Sequence, residues 1–389
     1  MAKSHTRIGQ LAVALTVAGM VVGLAPAAAA AGPTPSVVVL RELGGGYSFV
    51  NQINDAGMAV GQSVTAGGES HAVRWDRHNR ISDLGMLGGI WSTASYINRS
   101  GMVAGDISFP SGKTHAARWD RQGRGTDLGT LPGGSGSYPF GINDSGTVVG
   151  TSDLPFDATR ADTHAVRWDR RGHITDLGAP GVVSMAYGIN NTGTVVGASG
   201  GAPDQRGHAA RWDRSGRMTF LDDLPGSTTN TARLISDSGI ATGDAAVPGD
   251  GLHAVRWDQR GRVTDLGPIP DHGTPHAIRD DGTIVGTTRT PDGFHAARWN
   301  PRGVHTDLGT LGGSRSEAYA INARGTIVGS SFTTDDEEVV AARWDRHGRI
   351  TALPLPPGGT RSEALSINDK GWAVGIVFMG DAIRAVLWR

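Results

Sequence analysis

The sequence has no cysteine, and only three of its 36 basic residues are lysines: Lys3, Lys113 and Lys370. The first absence excludes disulfides and a lipid-modified leader cysteine, so stability must come from packing. A formal net charge of −1 excludes the basic footprint of a polyanion binder, so nucleic acid is not an expected partner. Amphipathic helices are missing as well, since no segment holds a 3.6-residue apolar period over ten or more positions. Long apolar runs are confined to Leu11–Leu24, which follows basic Lys3 and Arg7 and precedes the small-residue stretch Ala27–Ala31. That layout is a secretory signal, and its core is too short to span a membrane as a mature helix. The expectation is a signal peptide over residues 1–31 and a secreted, soluble bacterial protein over 32–389, monomeric, with no membrane insertion and no cofactor.

What is present is repetition. Tryptophan recurs as Trp75, Trp119, Trp168, Trp212, Trp257, Trp299, Trp344 and Trp388, at spacings of 42 to 49 residues. Around each Trp lie four short segments, as in Glu317–Asn322, Gly325–Gly329, Ala341–Trp344 and Arg349–Leu353. They are rich in β-branched residues and alternate in polarity, which predicts strands, here lettered a to d. The a-to-b turn runs from Asn to Gly, as in Asn98-Arg99-Ser100-Gly101, and the c-to-d turn from Asp to Gly, as in Asp120-Arg121-Gln122-Gly123. Both fit a type I turn with a glycine bulge, which joins antiparallel strands. Two such hairpins per repeat exclude a parallel solenoid and predict an all-β fold, a single eight-bladed β-propeller of about 44 residues per repeat with four antiparallel strands per blade. The eighth repeat stops at strand c, Ala385–Arg389, while Val37–Gly44 matches the strand d pattern Ile81–Gly85. The N-terminal strand is therefore expected to close the C-terminal blade.

The motifs His115-Ala116-Ala117-Arg118-Trp119, Asp307-Leu308-Gly309-Thr310-Leu311-Gly312-Gly313 and Ile142-Asn143-Asp144-Ser145-Gly146-Thr147-Val148-Val149-Gly150 carry a resemblance. They look like those of the HAF-repeat family of extracellular repeat proteins, over essentially all of residues 32–389. The resemblance implies secretion and a β-rich repeat fold, and it supplies no catalytic residue.

Residues present in every repeat serve folding first, so chemistry belongs to departures from the repeat. His71, His115, His164, His208, His253 and His295 share one position and would diverge around a ring, so a structural role is expected rather than one metal site. Arg118 with Asp127, Arg167 with Asp176 and Arg298 with Asp307 are expected to pair within a repeat, because buried charges need partners. The d–a and b–c loops vary and should share one end of the fold, away from the uniform turns. Their Trp91, Phe109, Tyr138, Phe156 and Phe332, with Arg315 and Arg361, are the candidate contacts to an extracellular glycan or protein partner. Asp222 with Asp223, and Asp335 with Asp336, are candidate Ca²⁺ ligands without a defined ligand spacing. Glu317 and Glu363 begin strand a in adjacent repeats and are the candidate carboxylates of a glycan-cleaving alternative. A passive envelope or matrix protein is the third reading.

Overall fold

The computed structural model describes residues 35–155, 163–178, 183–200, 207–270 and 275–389. The signal peptide and Phe156 lie outside the described residues. The fold is all-β, with one short 3₁₀ turn at Thr334–Asp336 among the described residues. In the first repeat strands a to d are Gly44–Ile53, Ala59–Thr65, Ser70–Trp75 and Ile81–Gly85; in the second they are Trp91–Ile97, Val103–Ser108, Thr114–Trp119 and Gly125–Asp127. The same antiparallel a-b-c-d ladder recurs along the chain, and in the last repeat Arg361–Ile367, Ala373–Met379 and Ala382–Trp388 are followed by Val37–Val39, paired antiparallel to the third. The expected pairing of the N-terminal strand with the last repeat is therefore present. One feature differs from a purely antiparallel expectation. Single parallel bridges such as Ser70↔Trp91 and Phe294↔Arg315 join strand c to strand a of the next repeat, so some sheets are mixed and run to eight strands.

The turns follow the chemistry of their residues. Gly101 takes φ of 88° and Gly123 of 84°, values that a side chain disfavours. The first c–d turn puts Asn79 there instead, at φ 61°. Asn is the tolerated exception, and here its amide reaches the N-terminal strand: Nδ2 donates to the Val39 carbonyl and Oδ1 accepts from the Arg41 N–H. The Gly at the third position of strand b has another cause. A Cβ on Gly105 would lie 1.9 Å from the Thr93 carbonyl oxygen, because strand a bulges toward it between Ala94 and Tyr96.

Three contact types recur between successive repeats. All eight repeat tryptophans are fully buried, and most send Nε1–H to a carbonyl that follows strand d of the previous repeat or lies within it. Trp119 reaches the Leu84 carbonyl at 2.8 Å and Trp344 that of Leu308 at 2.9 Å. A buried Ser at the start of strand a accepts the N–H of strand c of the previous repeat, as Ser92 Oγ does from Ala72 at 2.7 Å. The a–b turn Asn uses Oδ1 to hold its own turn and Nδ2 to bind the next: Asn98 Oδ1 accepts from the Met102 N–H, while its Nδ2 donates to the Asn143 carbonyl at 2.9 Å. All three contact types also recur between the last repeat, to which the N-terminal strand is paired, and the first. Trp75 Nε1 donates to the Arg41 carbonyl, Ala385 N to Ser48 Oγ, and Asn368 Nδ2 to the Asn54 carbonyl.

Asn368→Ala removes that last bond and two acceptor contacts to Lys370 N and Trp372 N. It is expected to cost about 2 kcal/mol, because buried groups are left unpaired. Ser236, which replaces Asn in the fifth repeat and holds only its own turn, should cost about half as much on change to Ala. Equal costs in urea unfolding would show that the Asn bond between repeats contributes nothing.

Candidate functional site

The repeated His finds its partner on strand d. His115 Nδ1 lies 3.0 Å from both Asp127 oxygens, and His164 and His295 meet Asp176 and Asp307 in the same way. This corrects the expected pairing of Arg118, Arg167 and Arg298 with those carboxylates. Asp127 stands opposite Ala117 in register, so it shares a face with His115 two residues away, while Arg118 points to the other face. There Arg118 donates to the carbonyls of Gly146, Asp169 and Arg170, in the two turns of the next repeat. Arg167 and Arg298 donate likewise to Arg214 and Arg346.

The departures from the repeat fall in several places. Asp223 takes over as carboxylate partner of His208, at 2.8 Å, where Phe220 fills the usual Asp position. Asp222 accepts the Trp257 Nε1–H on its backbone carbonyl. Asp336 Oδ1 accepts the Ser314 N–H at 2.7 Å. That bond, with the Ser314 side chain and the nearby Arg315 charge, holds its carboxyl below the usual carboxylate range. Asp335 lies in the same 3₁₀ turn. Phe109 packs edge-on against His115 at 5.0 Å and joins the apolar core of its own repeat. Phe332 is half-buried opposite Val339, and the Arg315 guanidinium lies 5.5 Å from the Phe294 ring centre. Arg361 pairs with Glu363 at 3.0 Å and stacks on Phe378. Glu317 and Glu363 both act on Tyr319, whose phenol burial and these two charges push well up. The edge of His276 meets the Tyr319 ring, and burial lowers its imidazole to about 4.

Trp91 and Tyr138 are brought together. They line one cavity of about 480 Å³ with Ser95, Tyr96, Asp106, Ser108, Thr114, Pro139 and Phe140. Ser108 ends strand b and Thr114 begins strand c, so the cavity sits at the end that carries the d–a and b–c loops. One wall comes from strands a, b and c of the second repeat and the other from strand a of the third, Ser137–Ile142. Trp91 is in register with Ser108, and Thr93 with Asp106. Alternation thus puts Asp106 on the cavity side one rung deeper than Trp91. Burial raises the Asp106 carboxyl to about 7, and burial together with the Asp106 charge raises the Tyr96 phenol to about 12. Asp106 has no hydrogen-bond partner among the described residues, and no Lys, Arg or His lines the cavity.

Two other cavities are chemically closed. One of about 330 Å³ is ringed by the a–b turns and by Ile53, Ile97 and Ile142, and its Asn side chains are committed to their turns and to the next repeat. One of about 600 Å³ between the third and fourth repeats holds Arg167 and Asp169, which already bond the Arg214 carbonyl and the His173 N–H.

Of the residues lining this cavity, the sequence singles out Trp91 and Tyr138 as candidates but not Tyr96, Asp106 or Phe140. A signal for Asp106 existed: the residue after the strand b Gly is Thr151, Ala198, Thr287 and Ser330 in other repeats, and the one other carboxylate there, Asp244, is paired with Arg233.

No family model and no curated protein matches the chain. Among solved structures it is similar to Porphyromonas gingivalis dipeptidyl peptidase 4, with TM-score 0.56 and 10% identity over 88% of this chain and 58% of that one. It is also similar to the β-propeller domain of the Trilobed protease from Pyrococcus furiosus, at TM-score 0.48 and 10% identity, covering 79% of this chain and 96% of the domain. TolB from Acinetobacter baumannii matches at TM-score 0.41 and 13% identity, over 64% of this chain and 62% of TolB. The chain thus spans about three fifths of the peptidase and of TolB. At such identities the likeness shows a propeller-like fold and no activity.

Proposed function

We propose that this chain is a secreted, non-enzymatic eight-bladed β-propeller that acts as a monomer and binds an extracellular glycan or protein through its d–a and b–c loop end. The bonds from Trp75 to Arg41, Ala385 to Ser48 and Asn368 to Asn54 support the closed eightfold ring. Likeness to HAF repeats and the signal-like N-terminus support an extracellular address. The observation that carries the binding reading is the gathering of Trp91 and Tyr138, with Tyr96 and Phe140, around one cavity at that end. Its volume falls in the usual range for ligand sites, about 300 to 1,000 Å³, and its mixture of rings and few polar groups is the usual lining.

The test is an array of extracellular glycans and secreted proteins probed with the wild type and with Trp91→Ala/Tyr138→Ala, the fold of the variant being checked by thermal melting. A selective ligand that the double variant binds at least about tenfold more weakly is expected, since two aromatic contacts are lost. Binding that the double variant keeps in full would overturn the reading.

A further inference from the structure

The cavity between the second and third repeats has a chemistry more specific than aromatic. Four rings, Trp91, Tyr96, Tyr138 and Phe140, surround one carboxyl group, with no basic side chain among the described residues of the lining. Asp106 has no ion pair and no hydrogen bond among the described residues. The Asp106 side chain is half-buried, and a carboxylate that faces a cavity walled by rings is poorly solvated, so a partner entering the cavity is favoured. The missing partner is a cation, and ring faces attract cations as well.

We propose that this cavity binds a quaternary ammonium group, held against the faces of Trp91 and Tyr138 with Asp106 as its counter-charge. The inference deepens the loop-end reading and rests on it, since both take Trp91 and Tyr138 as contact residues. An alkylated cation fits better than a primary amine. A –NH₃⁺ group needs three well-placed acceptors in place of its water, and of the hydroxyls in the lining those of Ser108 and Thr114 already bond each other at 3.0 Å. A quaternary nitrogen donates no hydrogen bond and is weakly hydrated, so aromatic walls can replace its solvent. Anionic ligands are disfavoured by Asp106, and a neutral sugar would leave its charge uncompensated.

Binding is then coupled to a proton. The carboxylate must be ionised to serve as counter-charge, so affinity holds above pH 7 and falls as the pH drops below it. No other charge among the described lining residues competes with this dependence. From strand a of its own repeat Asp106 faces the Tyr96 phenol, and from strand a of the next the Tyr138 phenol also lines the space. On strand c, His115 is turned to Asp127, and neither it nor Lys113 is in the lining.

The experiment is calorimetric titration of the full chain with choline, and with 3,3-dimethylbutanol as its uncharged isostere, at pH 5 and pH 8. Choline should bind at pH 8 and roughly a hundredfold more weakly at pH 5, from about two pH units of protonation below the Asp106 midpoint. The isostere should bind at least about tenfold more weakly than choline at pH 8 and show no pH dependence. Asp106→Asn should weaken choline binding and abolish its pH dependence, and Trp91→Ala should weaken it without altering that dependence. Equal binding of the isostere, or choline affinity unchanged by Asp106→Asn in a folded variant, overturns the proposal. A Trp91-dependent ligand on the array with no choline binding sinks this inference and leaves the loop-end reading standing. Loss of both sinks both.

Discussion

Trp75→Ala is expected to destabilise the protein by about 3 to 5 kcal/mol, the usual cost of emptying a fully buried aromatic site. The ring has no solvent exposure and packs with Leu40, Val50, Val73, Ala385 and Leu387. Leu40 comes from just beyond the N-terminal strand, and Ala385 and Leu387 from the last repeat. The hole would therefore open where the two ends of the sequence meet, and the Arg41 carbonyl would lose its donor. An internal comparison separates cavity from hydrogen bond. Trp168 is equally buried, yet its Nε1–H has no partner among the described residues. Trp168→Phe should then cost about 1 kcal/mol less than Trp212→Phe, which breaks the 2.8 Å bond to the Leu177 carbonyl. Guanidinium unfolding of the four proteins with wild type as reference tests both statements. A Trp75→Ala cost below about 1 kcal/mol would mean that the junction of the two ends adds little to stability.

The second large effect is a pair of opposed pH dependences. Asp106 titrates near 7 in the fold and near 3.8 when free, because burial disfavours its charge. Between these values the native state holds more protons than the unfolded chain. Its contribution to stability therefore falls as the pH rises through that window, by up to about 4 kcal/mol above pH 7. His276 runs the other way. Burial lowers it from 6.5 to about 4, so the native state holds fewer protons there, and stability is lost as the pH falls from 6.5 toward 4, by up to about 3 kcal/mol. In the wild type the two slopes partly cancel between pH 4 and 6.5. Asp106→Asn should gain stability over wild type as the pH is raised from 4 to 8, and His276→Gln should lose less than wild type on acidification. Urea midpoints at pH 4.5, 6 and 8 read both effects. An Asp106→Asn advantage that does not grow with pH would sink the first.

Much of the fold was legible because the repeat states each rule many times. A turn seen once as Asn98–Gly101 is weak evidence, but the same Asn-to-Gly frame across the chain excludes a coincidence of composition. The pairing of Val37–Val39 with the last repeat was readable as a missing strand d. What failed was the partner of Asp127, since the choice between His115 and Arg118 depends on the register that puts Asp127 opposite Ala117. A one-residue difference decides which face a side chain takes, and sequence fixes it poorly. The candidate site was half readable. Trp91 and Tyr138 stand out in the sequence as aromatics of the expected d–a loops, although the structure puts both at the start of a strand a; Asp106 lies inside strand b, and Tyr138 and Phe140, which share its cavity, belong to another repeat. Phe109, a loop aromatic, turns back onto its own His115, which its sequence position does not announce.

The uniform burial of the repeat tryptophans also shapes what light would report. Of ten indoles in the chain, eight sit in one recurring solvent-free setting, and the remaining two, Trp91 and Trp372, are half-buried. The eight give a fluorescence background that responds only when repeats come apart. Trp372, flanked by the Arg389 guanidinium at 4.6 Å and by Lys370, reports on the C-terminal end. That leaves Trp91 as the one indole that lines the cavity, an intrinsic probe whose emission can change while the other nine stay constant.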